Sequence, residues 1–307
     1  MDRHRLIRDI TPVGAASVVG AARLLAVVVD ELARLTDRDR YLLDLLHDHS
    51  TLTTEQVATL AFGSAGRARI RLGTLRERGI LDRFRHYQRP GSQSWRWTLG
   101  PVGAAIIAAG RDQPAPRPAT VRETTARLAA SPTLPHLLAT NGFFVALARY
   151  ARDHDGARLA RWWNEARCRE VCGNLVRPDG HGVWRNGGRA VPFWLEMDLG
   201  TEVLSRVAGK LTGYAHLAST RRGYPVLFWL PTATREANLH AHLARTGAPN
   251  GLTIATASDE HAAGTGGPAA PVWRVAGHPG RVALADIPVP AAAAHSVSTV
   301  DGEPWDG

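Results

Sequence analysis

Apolar residues recur along this chain in two rhythms. A period near 3.6, which puts every third or fourth residue on one helix face, marks several stretches. Thr36 opens one that runs to about Asp48, with Tyr41, Leu42, Leu45 and Leu46 as its apolar side. Thr53 or Thr54 opens a second, EQVATLAF, ending at Gly63, and Ser64 caps a third, AGRARIRLGTLRERG, closing at Gly79. Leu137, Leu138, Phe143, Phe144 and Leu147 define a long amphipathic helix over His136 to Arg152, and Thr201 to Leu217 reads as another. Short runs rich in aromatic and β-branched residues predict strands at Ile80 to His86, Ser94 to Leu99, Val191 to Leu199, Tyr224 to Leu230 and Gly251 to Ala257.

The order of these elements predicts an α/β (α+β) chain of two domains. Three helices, a hairpin with a wing at Tyr87 to Gln93, and a helix from Gly103 to Ala109 predict a winged helix-turn-helix over residues 36–110. Residues 111–130, with the proline-rich DQPAPRPATVR, are expected to be a linker. Residues 131–275 then alternate strands and helices, which suits a mixed central sheet flanked by helices. Residues 1–35 are read as a leading helix or a partly disordered extension. The Ala-, Pro-, Gly- and Ser-rich residues 276–307 are expected to be disordered.

Charge sharpens the first domain. The chain has 37 Lys and Arg against 28 Asp and Glu, a net charge of +9, which points to a polyanion and by default to nucleic acid. On the third helix Ala68, Leu72 and Leu75 form the core stripe, while Arg67, Arg71, Thr74 and Arg78 share another arc. These four, with Arg69 and with Arg89 in the wing, are the candidate contacts to double-stranded DNA. Trp95 and Trp97 share a strand face and read as core.

In the second domain the informative residue is Lys210, the single lysine of the chain. Val203, Val207, Lys210, Tyr214 and Leu217 fall on one helical face, so the lysine points where the apolar side chains point. A charge there calls for an opposite one beside it. Alternation along Val191 to Leu199 puts Trp194, Glu196 and Asp198 on one face and Phe193, Leu195 and Met197 on the other. Two carboxylates in an apolar strand need a cation, either a metal ion or an ion-pair partner. Asp179 joins the set, at the end of a strand Asn174 to Asp179 that turns through Gly180, His181 and Gly182. Glu165 lies upstream beside Trp162 and Trp163, as an outer ligand or a structural ion pair.

Pro178-Asp179 followed after a hairpin-sized gap by Glu196 resembles the PD-(D/E)XK nuclease superfamily. That resemblance implies Asp and Glu ligating a divalent metal from adjacent strands, and a lysine that orients or activates the attacking water. The pattern departs at one place: Asp198 stands where the motif lysine would, and Lys210 is available from the following helix. The phrases RPDG, FWLEMDLGTE and GKLTGY behind the winged-helix segment resemble, over about residues 36–275, the replication-relaxation family of actinobacterial plasmids and mobile elements. The resemblance implies a DNA-binding protein of DNA replication, relaxation or transfer, working with plasmid replication or transfer proteins in the cytoplasm. As a nicking endonuclease it would hold Mg²⁺ (or Mn²⁺) on Asp179, Glu196 and Asp198, with Lys210 and Glu165 assisting. As a non-catalytic accessory factor or regulator it would keep the same residues as a buried ion-pair network.

Other chemistries find little support. Cys168 and Cys172 are too few for a disulfide framework, and no clear Cys/His set completes a zinc site. Val13 to Val29 is apolar but broken by Arg23 and too short to span a bilayer, so no membrane partner is expected.

Overall fold

The computed structural model describes residues 6–8, 21–86, 93–218, 220, 222–247, 249, 251–291 and 293. It is a mixed α/β protein of two compact units, Met1–Asn141 and Gly142–Gly307.

In the first unit, β1 (Leu6–Arg8) and α1 (Ala21–Arg34) precede α2 (Asp37–His49). Thr36 caps α2 in a reciprocal box with Asp39. After β2 (Leu52–Thr53), α3 (Thr54–Val57) widens into a π-turn over Ala58–Phe62 and ends at Gly63, whose φ of 65° supplies the left-handed cap. Ser64 then caps α4 (Ala65–Glu77). Ala68, Leu72 and Leu75 are its buried stripe, as the periodicity predicts. β3 (Leu81–His86) and β4 (Arg96–Leu99) form the expected hairpin in a four-stranded sheet of order β1-β3-β4-β2. α5 (Pro101–Gly110) follows.

The expected linker is only partly one. Pro118 starts α6 (Pro118–Ala129), where its missing N–H costs nothing, and Thr125 and Ala129 are buried. Ala129 and Leu134 pack on Phe84. The opening of α7 (Leu134–Asp153) also belongs to this unit: Asn141 Nδ2 donates to the carbonyls of His49 and Thr51 at 3.2 and 2.9 Å.

The second unit is a six-stranded sheet of order β10-β9-β8-β7-β6-β5. β5 (Arg158–Asn164), β6 (Gly180–Asn186) and β7 (Arg189–Met197) form an antiparallel meander, with α8 (Glu165–Val171) between the first two. α9 (Leu204–Ala218) crosses over to β8 (Val226–Leu230), parallel to β7, and α10 (Ala233–Thr246) to β9 (Ile254–Ser258), parallel to β8. After α11 (Asp259–Ala262), the short β10 (Arg274–Val275) closes the edge antiparallel to β9. Trp194, Val226, Phe228 and Leu230 bury one sheet face beneath Val207, Leu211 and Tyr214 of α9 and Leu239 of α10. On the other face Phe143 and Phe144 of α7 meet Phe193, Trp162 and Trp229.

Three expectations are corrected here. The turn assigned to Gly180, His181 and Gly182 is the start of β6. A Cβ on Gly180 would lie 2.7 Å from the Phe144 ring and one on Gly182 2.3 Å from the Phe193 ring, so these glycines admit aromatic neighbours. The reversal comes at Gly187 and Gly188, both with positive φ. α9 begins at Leu204, not after Thr201; the Glu202 carbonyl accepts from Arg235, and Val203 is left exposed. The segment expected to be disordered beyond 275 is ordered through at least its first part. Val282 exchanges two backbone hydrogen bonds with Trp273, Arg281 bonds both oxygens of Glu236, and Leu284 and Ile287 are buried. Its Ala- and Pro-rich composition hid these few anchors. Residues 294–307 lie outside the described residues.

Candidate functional site

Two side-chain constellations carry chemistry, one in each unit. In the second unit β7 delivers Glu196 to the sheet face that α9 covers. Its Oε2 accepts from Lys210 Nζ and its Oε1 from the Tyr214 hydroxyl, both at 2.6 Å. Lys210 and Tyr214 are one helical turn apart, so a single helix face supplies both donors. Glu196 is 2% exposed, while 35% of the Lys210 side chain reaches solvent. Asp179, just before β6, donates its N–H to the Leu195 carbonyl (3.0 Å), and its Oδ2 accepts from Met197 N–H (2.8 Å). Asp179 is thus bound to the same strand end as Glu196.

The electrostatics follow from this packing. Burial, with the field of Asp179, pushes the Glu196 carboxyl up to about 7 against the pull of Lys210 and Tyr214. Burial opposes the charge of Lys210, but Glu196 and Asp179 outweigh it and raise its pKa above the ordinary lysine range. Burial, then Glu196, pushes the Tyr214 phenol well up, so it remains a donor.

Asp198 belongs to a different arrangement. Arg235 at the start of α10 meets it with Nε at 2.5 Å and a terminal nitrogen at 3.1 Å, and Gly200 N–H donates to the same carboxylate at 2.6 Å. The expected trio therefore divides: Glu196 stands with Lys210 and beside Asp179, while Asp198 is committed to Arg235. Glu165, the first residue of α8, is exposed and outside both sets. As arranged, the carboxylates do not fit a divalent ion. Both oxygens of Glu196 and both of Asp198 already hold donors, and among the described residues no three His, Cys, Asp or Glu side chains converge on one point.

The first unit sorts the arginines of α4. Arg71 grips Asp39 with two nitrogens, at 2.9 and 2.5 Å, and Asp39 is 1% exposed and also accepts from Thr36. Burial opposes the Asp39 charge, yet Arg71 and Thr36 outweigh it and hold its pKa below the usual range. Arg78 pairs with Glu31 of α1. Arg67 and Arg69 are exposed and make no ion pair among the described residues. Thr74 bonds back to the Ile70 carbonyl at 3.2 Å. Ile70 itself is 75% exposed, between Gly66 and Gly73, neither of which has a neighbour near its missing Cβ. Arg89 lies outside the described residues.

The sequence model of the replication-relaxation family matches residues 43–226, more than half of the 307-residue chain. The chain belongs to that family. Family membership ties it to replication or relaxation, and the matched span includes α4, Asp179, Glu196, Lys210 and Tyr214, stopping short of Arg235. Comparison with curated proteins and with solved structures gave no match. Among the described residues no helix is long and apolar enough to cross a membrane.

Sequence reasoning placed Tyr214 on the right helix face without giving it a role, though its spacing from Lys210 was the available signal. Arg235 carried no such signal, because only the β8 crossover brings α10 to the end of β7.

Proposed function

We propose that this replication-relaxation protein binds duplex DNA of a plasmid or mobile element through a winged helix-turn-helix in its first unit, as a non-catalytic accessory factor in replication, relaxation or transfer. The observation that carries the reading is the sorting of charge on α4. Arg71 and Arg78 are spent on Asp39 and Glu31, and Arg67 and Arg69 are left outward on the helix that follows the tight Gly63 turn. Uncompensated arginines on such a helix suit phosphates and guanine edges. The exposed Ile70 suits a thymine methyl.

The accessory role rests on the second unit. Its order of helix, three-strand meander, crossover helix and parallel strand agrees with a PD-(D/E)XK nuclease-like core, with Asp179 and Glu196 at the motif positions. Both oxygens of Glu196, however, already accept from Lys210 and Tyr214, and Asp198 is held by Arg235. Metal-dependent nicking is the second reading, favoured by the motif positions of Asp179 and Glu196 and by a lysine bonded to Glu196. A nicking assay on supercoiled plasmid with Mg²⁺ or Mn²⁺, run beside a duplex-binding assay, separates the two. Binding with no nicking by wild type is expected. Nicking that Glu196→Ala abolishes would establish the second reading, and absence of duplex binding would remove both.

A further inference from the structure

In the first unit α6 turns Val121, Thr125 and Leu128, spaced i, i+4 and i+7, to one face. Thr125 is buried there, but Val121 and Leu128 are only half-buried. They face a cavity of about 290 Å³ that α6 shares with α5, β4 and the end of α2, where Leu46 and Leu99 add apolar wall. Protein interiors ordinarily close on such a space, because its lining forfeits dispersion contacts while it stays unfilled. The volume is close to the lower end of the range for small-molecule sites, about 300 Å³. An apolar wall with a few polar groups is also their usual make-up.

Two hydroxyls give this cavity a polar point. Thr98 and Thr125, which both line it, are each 4% exposed, and their Oγ1 atoms lie 3.4 Å apart. A threonine hydroxyl carries one proton and two lone pairs, so a bond within the pair uses only one of the two protons. Neither hydroxyl has a further partner among the described residues, and whichever donates, the other proton is left over. A buried donor without an acceptor is uncommon in a folded protein and marks a place where an acceptor belongs. Charge narrows the choice. Among the described residues no Asp, Glu, Lys or Arg lines the cavity. His47, exposed at its edge, is held below the ordinary histidine range by burial and by the charge of Arg111. An ionic ligand would find no counter-charge there.

We propose that the cavity beneath α6 binds a small, uncharged, mainly apolar molecule whose carbonyl oxygen accepts the spare proton of the Thr98–Thr125 pair. The site uses no residue of α4 and none of the Glu196 cluster, so it stands or falls apart from DNA binding.

The test is a ligand-detected NMR titration of the full chain with two probes, and melting curves for each variant. Acetophenone carries the carbonyl, and isopropylbenzene has nearly its shape with a methyl-bearing carbon in the carbonyl's place. Wild type should bind both. Thr98→Val with Thr125→Val keeps the packing and removes both hydroxyls, a paired replacement that stability tolerates. It should weaken acetophenone about fivefold, the scale of one neutral hydrogen bond, and leave isopropylbenzene bound as tightly as before. Thr125→Val alone should do less, because Thr98 keeps a proton to donate. Val121→Phe puts a ring into the space and should weaken both probes more than tenfold without lowering the melting temperature. Ala104→Leu fills it from α5 and serves if the phenylalanine protein melts early. If wild type binds neither probe, or if a folded cavity-filling variant binds both as wild type does, the site is overturned. A double-valine protein that holds acetophenone as tightly as wild type overturns the carbonyl contact.

Discussion

The two units treat charge in opposite ways. In the second, Glu196 is matched by Lys210 and Tyr214, Asp198 by Arg235 and Gly200, and Glu236 by Arg281 and Thr256. Each of these carboxylates is buried and finds its donors inside the unit. The first unit satisfies Asp39 and Glu31 in the same manner, then leaves Arg67 and Arg69 with no carboxylate among the described residues. Arginines on one helix thus divide into structural and outward-facing, Arg71 lying two and four positions from Arg69 and Arg67. An arginine count cannot make that division. What separates them is whether a buried acid waits on the neighbouring helix.

The comparison breaks most visibly at Asp39. Asp39→Ala strands Arg71 against the core and removes the box that starts α2, and is expected to cost about 3–4 kcal/mol, the range for breaking a buried pair. Chemical denaturation reads it directly. A loss below about 1 kcal/mol would move Arg71 into the outward-facing class.

Next in size is Lys210. Lys210→Met leaves Glu196 buried with Tyr214 as its remaining donor. The expected loss is roughly 2–3 kcal/mol, below the range for fully buried pairs because a third of the lysine side chain is solvated. Lys210→Arg should recover part of it, since the charge returns but the planar fork needs more room. If Lys210→Met melts with wild type, the pair is a surface contact.

The same pair sets a pH dependence whose sign is fixed by its direction. The folded Glu196 carboxyl titrates near 7, above the ordinary 4.5, so folding favours its protonated form. Its contribution is full below 4.5, fades as pH rises through 7, and is constant beyond. Lys210 adds the opposite-side limit, since its raised pKa keeps its contribution until alkaline pH. Glu196→Gln should therefore lose the decline in stability between pH 4.5 and 7 that wild type shows. A variant that keeps the full decline would place the titrating group elsewhere.

How much of this could be read from the chain depends on how local each determinant is. Caps and periodicity are local, so α2, α4, the hairpin and β7 to β9 were legible within a few residues, and so was Lys210 turned toward Glu196. The glycines of β6 misled because their reason, the rings of Phe144 and Phe193, lies far away in sequence. Asp198 misled similarly: alternation put it on the face of Glu196, but Arg235 arrives only after β8 has crossed over. The segment after Val275 was hidden by composition, since three anchoring side chains among many Ala and Pro do not change an average. Arg71 and Arg67 look equivalent on a helical wheel, and only Asp39 distinguishes them.

The smallest expected effect on folding, and the one that sharpens the comparison most, is at Arg67 and Arg69. Both are exposed and unpaired with any described carboxylate, so replacing both by Ala should leave the melting transition within a few tenths of a kcal/mol of wild type. Duplex binding should instead fall at least tenfold, about 1.4 kcal/mol, with the salt dependence flattened by about 2 for two phosphates no longer neutralised. Arg71→Ala should show the reverse pattern, a clear loss of stability and no change in salt slope where the protein remains folded, because its guanidinium is already held by Asp39. Ile70→Ala adds a finer distinction: a thymine-methyl contact predicts weaker discrimination among sequences with the salt slope intact. Were Arg67 and Arg69 to prove dispensable for duplex binding while Arg71 proved essential, the assignment of outward and structural arginines on α4 would have to be exchanged.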